Sequence, residues 1–170
     1  MKLRNHRTWS ALLTLAGSLL FAACTPSPAD VQVKRVTYPY WEKGDGPQKT
    51  AAHMAIRIPP GATEVKSALQ VQPQEDLHLL SFVTEEKTAE AIAEDLRLET
   101  PLEPMLGDDP LSGDGFKHLG IKAPQDVPGV REAQVCPPCI RDTRRDHLQV
   151  VEIQLGAEAQ GRTRVYLTTY

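Results

Sequence analysis

The chain has 170 residues, and its 19 lysine and arginine residues face 22 aspartate and glutamate residues, a net charge of −3. A chain of this sign gains nothing from neutralising phosphates, so nucleic acid is excluded as an expected partner. The length suffices for one domain with its own core. Because only 5% of the residues are aromatic, that core must be built largely from Val, Ile, Leu and Ala.

Residues 1–23 have the pattern of a secretory signal. Lys2, Arg4 and Arg7 form a basic start, and residues 9–23 are mostly apolar or small. As a helix this run would span about 22 Å, less than the roughly 30 Å of a membrane's hydrocarbon core, which favours an export signal over a transmembrane anchor. Removal of the signal would leave 16 basic and 22 acidic residues, a net charge of −6.

The run Leu19–Cys24, with the sequence LLFAAC, resembles a bacterial lipobox, in which small residues lead into a cysteine that is lipidated. The resemblance implies acyl chains on Cys24, and two or three chains anchor a protein stably where one is marginal. Thr25 follows in place of the aspartate that often signals inner-membrane retention. We therefore expect a lipid-anchored protein on the cell membrane or outer membrane, outside the cytoplasm. Ordinary secretion and a retained helix are the alternatives.

Residues 24–45 are predicted to form the lipidated cysteine and a flexible tether, because Pro26 and Pro28 alternate with small residues. Residues 31–36 could be a first strand or a continuation of this tether. Residues 46–170 are then expected to form a single domain.

The domain begins with strand patterns. In residues 53–58, Met54, Ile56 and Ile58 alternate with polar positions, which predicts a strand. A second strand is predicted at residues 65–71, and a hairpin connection at 73–76 leads into a third at 77–83, whose uniform apolar character is typical of a central strand.

One amphipathic helix of roughly 13 residues is predicted next. Thr84 can cap its start, and Ala89, Ile92, Ala93 and Leu96 share one face.

Residues 100–134 are rich in Pro, Gly and Asp, and we expect a long irregular loop that touches the core at Phe116, Leu119 and Ile121. Two strands, within residues 148–155 and 164–170, complete the domain.

This order predicts an α+β fold, with an antiparallel sheet of about five strands, one main helix and one long loop. Residues 58–62, the charged turn before residues 77–82 and residues 164–167 are similar to a group of small bacterial lipoproteins of uncharacterised function. The similarity covers roughly residues 50–170, and it implies no activity or site.

Cys136 and Cys139 are the only cysteines after Cys24. Exported proteins occupy an oxidising compartment, so a structural disulfide between them is expected. Their Cys-Pro-Pro-Cys motif also resembles that of thioredoxin-like proteins, whose first thiol has a lowered pKa at a helix N-terminus. Only 31 residues follow Cys139, too few for the elements that such a fold places after its motif.

Metal binding is a further alternative for this pair. Cys136, Cys139, His147 and His118 could provide four ligands for zinc or copper, although only one of their spacings is tight. We expect no metal.

Other candidate ligands have a plainer interpretation. His53 and His78 are expected at exposed, solvated positions of strands. Asp108, Asp109 and Asp114 lie in a glycine-rich loop that lacks the alternating ligand spacing of a calcium site, so a solvated turn is expected.

No hydrolase, phosphate-binding or dinucleotide-binding motif is present in the sequence. We therefore expect a non-enzymatic envelope lipoprotein that binds membrane lipid through its anchor, needs no cofactor, and binds an unidentified envelope protein or ligand, or assists assembly. The alternative function is a thiol–disulfide oxidoreductase, with Cys136 as the attacking thiol and Cys139 as the resolving thiol.

Overall fold

A computed structural model describes residues 37–42, 46–107, 113–136 and 142–170, with only the backbone of Cys136. The predicted signal, Cys24 and residues 31–36 lie outside these ranges.

The described residues form one antiparallel sheet of seven strands, in the order β1-β2-β3-β7-β6-β5-β4. The strands are β1 Tyr40–Glu42, β2 Thr63–Val71, β3 Leu77–Glu85, β4 Glu103–Pro104, β5 Arg131–Cys136, β6 Val151–Ala157 and β7 Arg162–Thr169. The predicted α+β class and antiparallel sheet are confirmed. The count of about five strands is wrong, because the edge strands β1 and β4 are too short to show a period and β5 lies in the predicted loop.

Strand β1 falls inside the range 24–45 that was assigned to the tether. It pairs with β2, with Tyr40 opposite Val71 and Glu42 opposite Leu69.

Three α-helices occur in the described part of the chain: α1 Pro47–His53, α2 Glu86–Leu96 and α3 Gly113–His118. Helix α2 is the predicted amphipathic helix, and its buried residues Ala89, Ala93 and Leu96 confirm the predicted face. The expectation of one main helix misses α1 and α3, and the strand predicted at residues 53–58 is wrong.

Helix α1 ends with the hydrogen-bond pattern of a Schellman motif. Ile56 N donates to Ala51 O at 2.8 Å, and Ala55 N donates to Ala52 O at 3.0 Å. Ala55 therefore adopts the left-handed conformation, with φ of 51°, at a position where glycine is usual. The apolar residues Met54, Ile56 and Ile58 pack against the core without forming a strand.

Replacing Ala55 with glycine should stabilise the protein by about 0.5–1 kcal/mol, because glycine adopts this backbone conformation without a Cβ clash. Ala52→Gly, one turn earlier in the same helix, should instead destabilise it by about 1 kcal/mol. Urea unfolding of the two variants gives the comparison, and a loss of stability in Ala55→Gly would contradict the expectation.

The segment predicted as one irregular loop, residues 100–134, is largely structured where it is described. It contains β4, α3, a short 3-10 turn at Pro124–Asp126 and the start of β5. The predicted core contacts are confirmed: Phe116 is fully buried, and Leu119 and Ile121 pack against the core while partly exposed.

The two faces of the sheet carry separate cores. Helices α1 and α2 cover one face, where Met54, Phe82 and Leu96 belong to the main core. Helix α3 covers part of the other face, where Phe116 packs edge-on against Tyr166 with ring centroids 5.0 Å apart. The strand β3 contributes to both cores, which confirms its predicted central position.

Arg145 joins α1 to α2 and has no exposed side-chain surface. Its Nε donates to Met54 O at 3.0 Å, and its Nη2 donates to Ala55 O at 2.8 Å. The guanidinium also pairs with Asp142 and Asp95. Residues 142–145 are thereby fixed to the end of α1.

Candidate functional site

A polar surface occupies the uncovered part of the sheet at β5 and β6. Ala133, Val135, Ile153 and Leu155 from these strands pack into the main core. Because side chains alternate along a strand, the intervening positions project from the opposite face. Those positions are Glu132, Gln134, Glu152 and Gln154.

The four side chains form two cross-strand pairs. Glu132 lies opposite Gln154, and Gln134 lies opposite Glu152. Gln134 Nε2 donates to Glu152 Oε1 at 3.3 Å.

This surface forms one side of a cleft with a cavity of about 490 Å³, which we call the β4–β6 cleft. Glu99, from the segment between α2 and β4, and Glu103, the first residue of β4, line it together with Glu132, Gln134, Glu152 and Gln154. Leu106 at its rim is 90% exposed. The described residues that line the cleft include no lysine and no arginine.

Gln154 is the unusual member of this set, because it lines the cleft and yet is only 1% exposed. In register it lies between Glu132 on β5 and Tyr166 on β7. Its Oε1 has no hydrogen-bond partner among the described residues. A buried acceptor without a donor costs roughly 1–3 kcal/mol, so a ligand that donates a hydrogen bond would gain from meeting it.

Two other depressions lack such a group. One of about 390 Å³ lies beside α2, where Arg131 pairs with Glu90. Another of about 490 Å³ is lined by apolar residues such as Ile56, Ile58 and Val65. Neither contains a buried polar side-chain atom that lacks a partner in the described parts of the chain.

Three histidines meet on the face of the sheet that α1 covers. The rings of His53 and His78 stack with centroids 4.0 Å apart, and the ring of His147 meets that of His53 edge-on at 5.2 Å. His147 Nε2 lies 3.0 Å from His53 O. The expected strand position is confirmed for His78, which lies on β3, and is wrong for His53, which ends α1. The expected solvation is wrong for both rings, because they are partly buried in contact with each other.

Burial and mutual contact lower the pKa values of two of these rings. For His53, burial is the larger cause and nearby His147 the smaller. For His78, burial and then His53 lower the pKa to about 4, against a smaller opposing effect of Asp76. Both rings therefore favour the neutral state.

The predicted cysteine chemistry falls mostly outside the described residues. Cys24 and Cys139 are not described, and Cys136 is described only as the last residue of β5. The disulfide and the lipid anchor remain predictions.

The alternative metal set is not assembled. His118 stacks on Trp41 of β1 with centroids 4.2 Å apart, whereas His147 lies with His53 on the opposite face of the sheet. Within residues 37–42, 46–107, 113–136 and 142–170, no three His, Cys, Asp or Glu side chains are arranged to hold a metal ion.

The candidate calcium loop is described only in part. Asp108 and Asp109 lie outside the described ranges, and the exposed Asp114 pairs with Lys117 at 3.5 Å.

The sequence carries one signal for the cleft, an alternation that predicts a strand. Residues 148–155 alternate, and their less apolar set includes Glu152 and Gln154. The matching pair, Glu132 and Gln134, lies in the segment predicted as a loop, so the two halves of the surface could not be placed side by side.

Comparisons of the chain with protein-family models, with curated proteins and with solved structures gave no match. None of the helices in the described residues has both the length and the apolar character needed to cross a membrane.

Proposed function

We propose that this protein is an exported, lipid-anchored envelope protein whose domain binds a ligand or partner in the β4–β6 cleft without catalysing a reaction. The anchor is supported by the sequence that leads to Cys24. The binding role is supported by the cleft itself, in which the buried Oε1 of Gln154 lacks a donor. The cavity, about 490 Å³, falls in the range of roughly 300–1,000 Å³ that is typical of small-molecule sites.

Mass spectrometry of the protein taken from its membrane tests the anchor. We expect a mature chain that starts at an acylated Cys24, and we expect Cys24→Ser to abolish incorporation of a fatty-acid analogue. Cys136→Ser is the control and should leave incorporation unchanged. An unmodified N-terminus at Met1 would contradict the proposal.

A photo-crosslinking amino acid tests the binding role in the native membrane. At the exposed position Gln134 in the cleft it should give a discrete adduct, whereas at the exposed Gln74, in the β2–β3 hairpin, it should not. Equal products from both positions, or none from Gln134, would count against binding in the cleft.

The competing proposal is a thiol–disulfide oxidoreductase that uses Cys136 and Cys139, and it is supported by the Cys-Pro-Pro-Cys motif. The double variant Cys136→Ser/Cys139→Ser separates the two. A structural bridge that closes so short a loop should be worth about 2 kcal/mol, so the variant and the reduced wild type should lose that amount on urea unfolding. Unchanged stability with loss of a disulfide-reductase activity present in the wild type would favour the oxidoreductase.

A further inference from the structure

We propose that the β4–β6 cleft binds an organic cation that carries several N–H donors, an alkylammonium or guanidinium group. The inference rests on the proposed binding role and names the chemistry of its ligand. Such a group can come from a free polyamine or from a lysine or arginine side chain of a peptide, and the experiment below separates these sources.

The first argument is the kind of hydrogen-bonding group that the cleft offers. Glu99 and Glu103 are carboxylates, which can only accept hydrogen bonds when ionised. The buried Oε1 of Gln154 is also an acceptor. Ammonium and guanidinium groups carry three and five donors, and their bonds to carboxylates are charge-assisted.

The second argument is size. A bare metal ion would occupy a small fraction of a cavity of about 490 Å³, and the carboxylates that line it do not converge as a three-ligand set in the described residues. A cationic group on an aliphatic stem fits such a space better. Its stem can lie along the exposed Leu106 at the rim while the charged end reaches inward.

The third argument is the effect of the Gln154 side chain on stability. In strand β6 its neighbours along the chain, Ile153 and Leu155, are buried and apolar. An apolar side chain of similar shape at position 154 would leave no acceptor unsatisfied, and such replacements are close to neutral or stabilising. The unpartnered Oε1 therefore adds no stability that would explain a glutamine here, whereas a donor-bearing ligand would use this acceptor.

Isothermal titration of the full-length protein in detergent micelles tests the proposal. The probes are spermidine, a short peptide whose only charge is one arginine side chain, and the uncharged diol 1,4-butanediol. We expect spermidine, the peptide or both to bind saturably and the diol not to bind. Binding of spermidine alone indicates a free polyamine, and binding of the peptide alone indicates a side chain of a partner.

The variants locate the binding. Glu99→Gln/Glu103→Gln should weaken cation binding on the order of tenfold to a hundredfold, since hydrogen bonds to charged groups contribute about 1.5–3 kcal/mol. Glu42→Gln/Glu75→Gln makes the same change in net charge at exposed positions on β1 and in the β2–β3 hairpin, and it should leave the affinity unchanged. Gln154→Met should weaken binding roughly threefold to tenfold while the free energy of unfolding stays equal or rises.

The proposal is overturned if no cation binds, if both double variants weaken binding equally, or if Gln154→Met leaves affinity unchanged. A discrete crosslink from Gln134 together with any of these results would show that the cleft binds a ligand of another class. Absence of both the crosslink and cation binding would remove the binding role as well.

Discussion

Arg145→Met should lower the free energy of unfolding by about 3 kcal/mol, the largest effect that we expect from a single substitution. The guanidinium is fully buried, and its bonds to Met54 O and Ala55 O hold the turn that ends α1. Methionine fills part of the volume but leaves two backbone acceptors without their donors. Breaking a buried pair by removing one partner costs roughly 3–5 kcal/mol, and the exposure of Asp95 places this case at the lower end.

The adjacent Arg144 provides a matched control, because it pairs with the same carboxylates, Asp95 and Asp142. Its side chain is 41% exposed, so Arg144→Met should cost less than about 1 kcal/mol. Arg145→Lys should fall between the two, since an ammonium cannot reproduce the planar set of donors that meets two carbonyls and two carboxylates.

Urea unfolding at pH 7 measures all three variants, with an unchanged m-value as the check that the unfolding transition is comparable. Equal losses for Arg144→Met and Arg145→Met would show that Arg145 contributes only as a surface charge does.

Acidification from pH 7 to pH 4.5 should destabilise the protein through the His53–His78 stack. Both folded pKa values lie below the unfolded value of about 6.5, so the unfolded chain binds more protons as the pH falls through 6.5 toward 4. Stability is therefore complete above the unfolded pKa and declines in this window. Without screening, His78 alone would account for about 3 kcal/mol, and its partial exposure reduces the expected loss to about 1–2 kcal/mol.

His78→Gln should flatten this part of the stability–pH profile, measured by urea unfolding at half-unit steps of pH. His118→Gln is the control for the removal of a histidine outside the stack, because His118 stacks on Trp41 on the other face of the sheet. A slope in His78→Gln equal to that of the wild type would assign the acid sensitivity to other groups.

A second acid transition should appear at lower pH through the carboxylates that hold Arg144 and Arg145. Burial alone would raise the pKa of Asp142, but hydrogen bonds from the two arginines outweigh it and lower the pKa to about 2. A group with a lowered carboxyl pKa contributes stability above its unfolded pKa and loses it as the pH falls toward the folded one. This loss of stability should occur below about pH 4. The histidine and carboxylate contributions should therefore appear in different pH ranges of the same titration.

The strands with a clear period were predictable from the sequence. Residues 65–71 and 77–83 alternate or run apolar over seven positions, and both became strands, β2 and β3. Helix α2 was predictable for the same reason, because its buried stripe repeats every three to four residues.

Helix α1 was missed because two local signals conflicted. Gly46-Pro47 is a helix start, with proline in the first turn, but the alternation of Met54, Ile56 and Ile58 indicated a strand. In the structure the turn that ends the helix contains Ala55, which adopts the left-handed conformation. Glycine is the usual residue at such a position, so the sequence lacked the usual sign of a helix end.

The cleft could not be predicted, since its parts are far apart in the sequence. Glu132 and Gln154 become neighbours only through the β5–β6 register. Tyr166 becomes the neighbour of Gln154 on the other side only through the β6–β7 register. The polarity of position 154 was readable, but its enclosure and its missing donor are properties of the assembled sheet.

The position of β7 has a consequence for the order in which the protein can assemble. Within the sheet, strands β1–β3 and β4–β6 form two halves that pair only with β7, with Phe82 opposite Val165 on one side and Ile153 opposite Leu167 on the other. During synthesis residues 162–169 emerge after both halves, so the sheet stays divided until they arrive. If the protein is exported as proposed, it would pass through a translocase before the two halves of its sheet are joined. It would then complete its fold on the far side of the membrane.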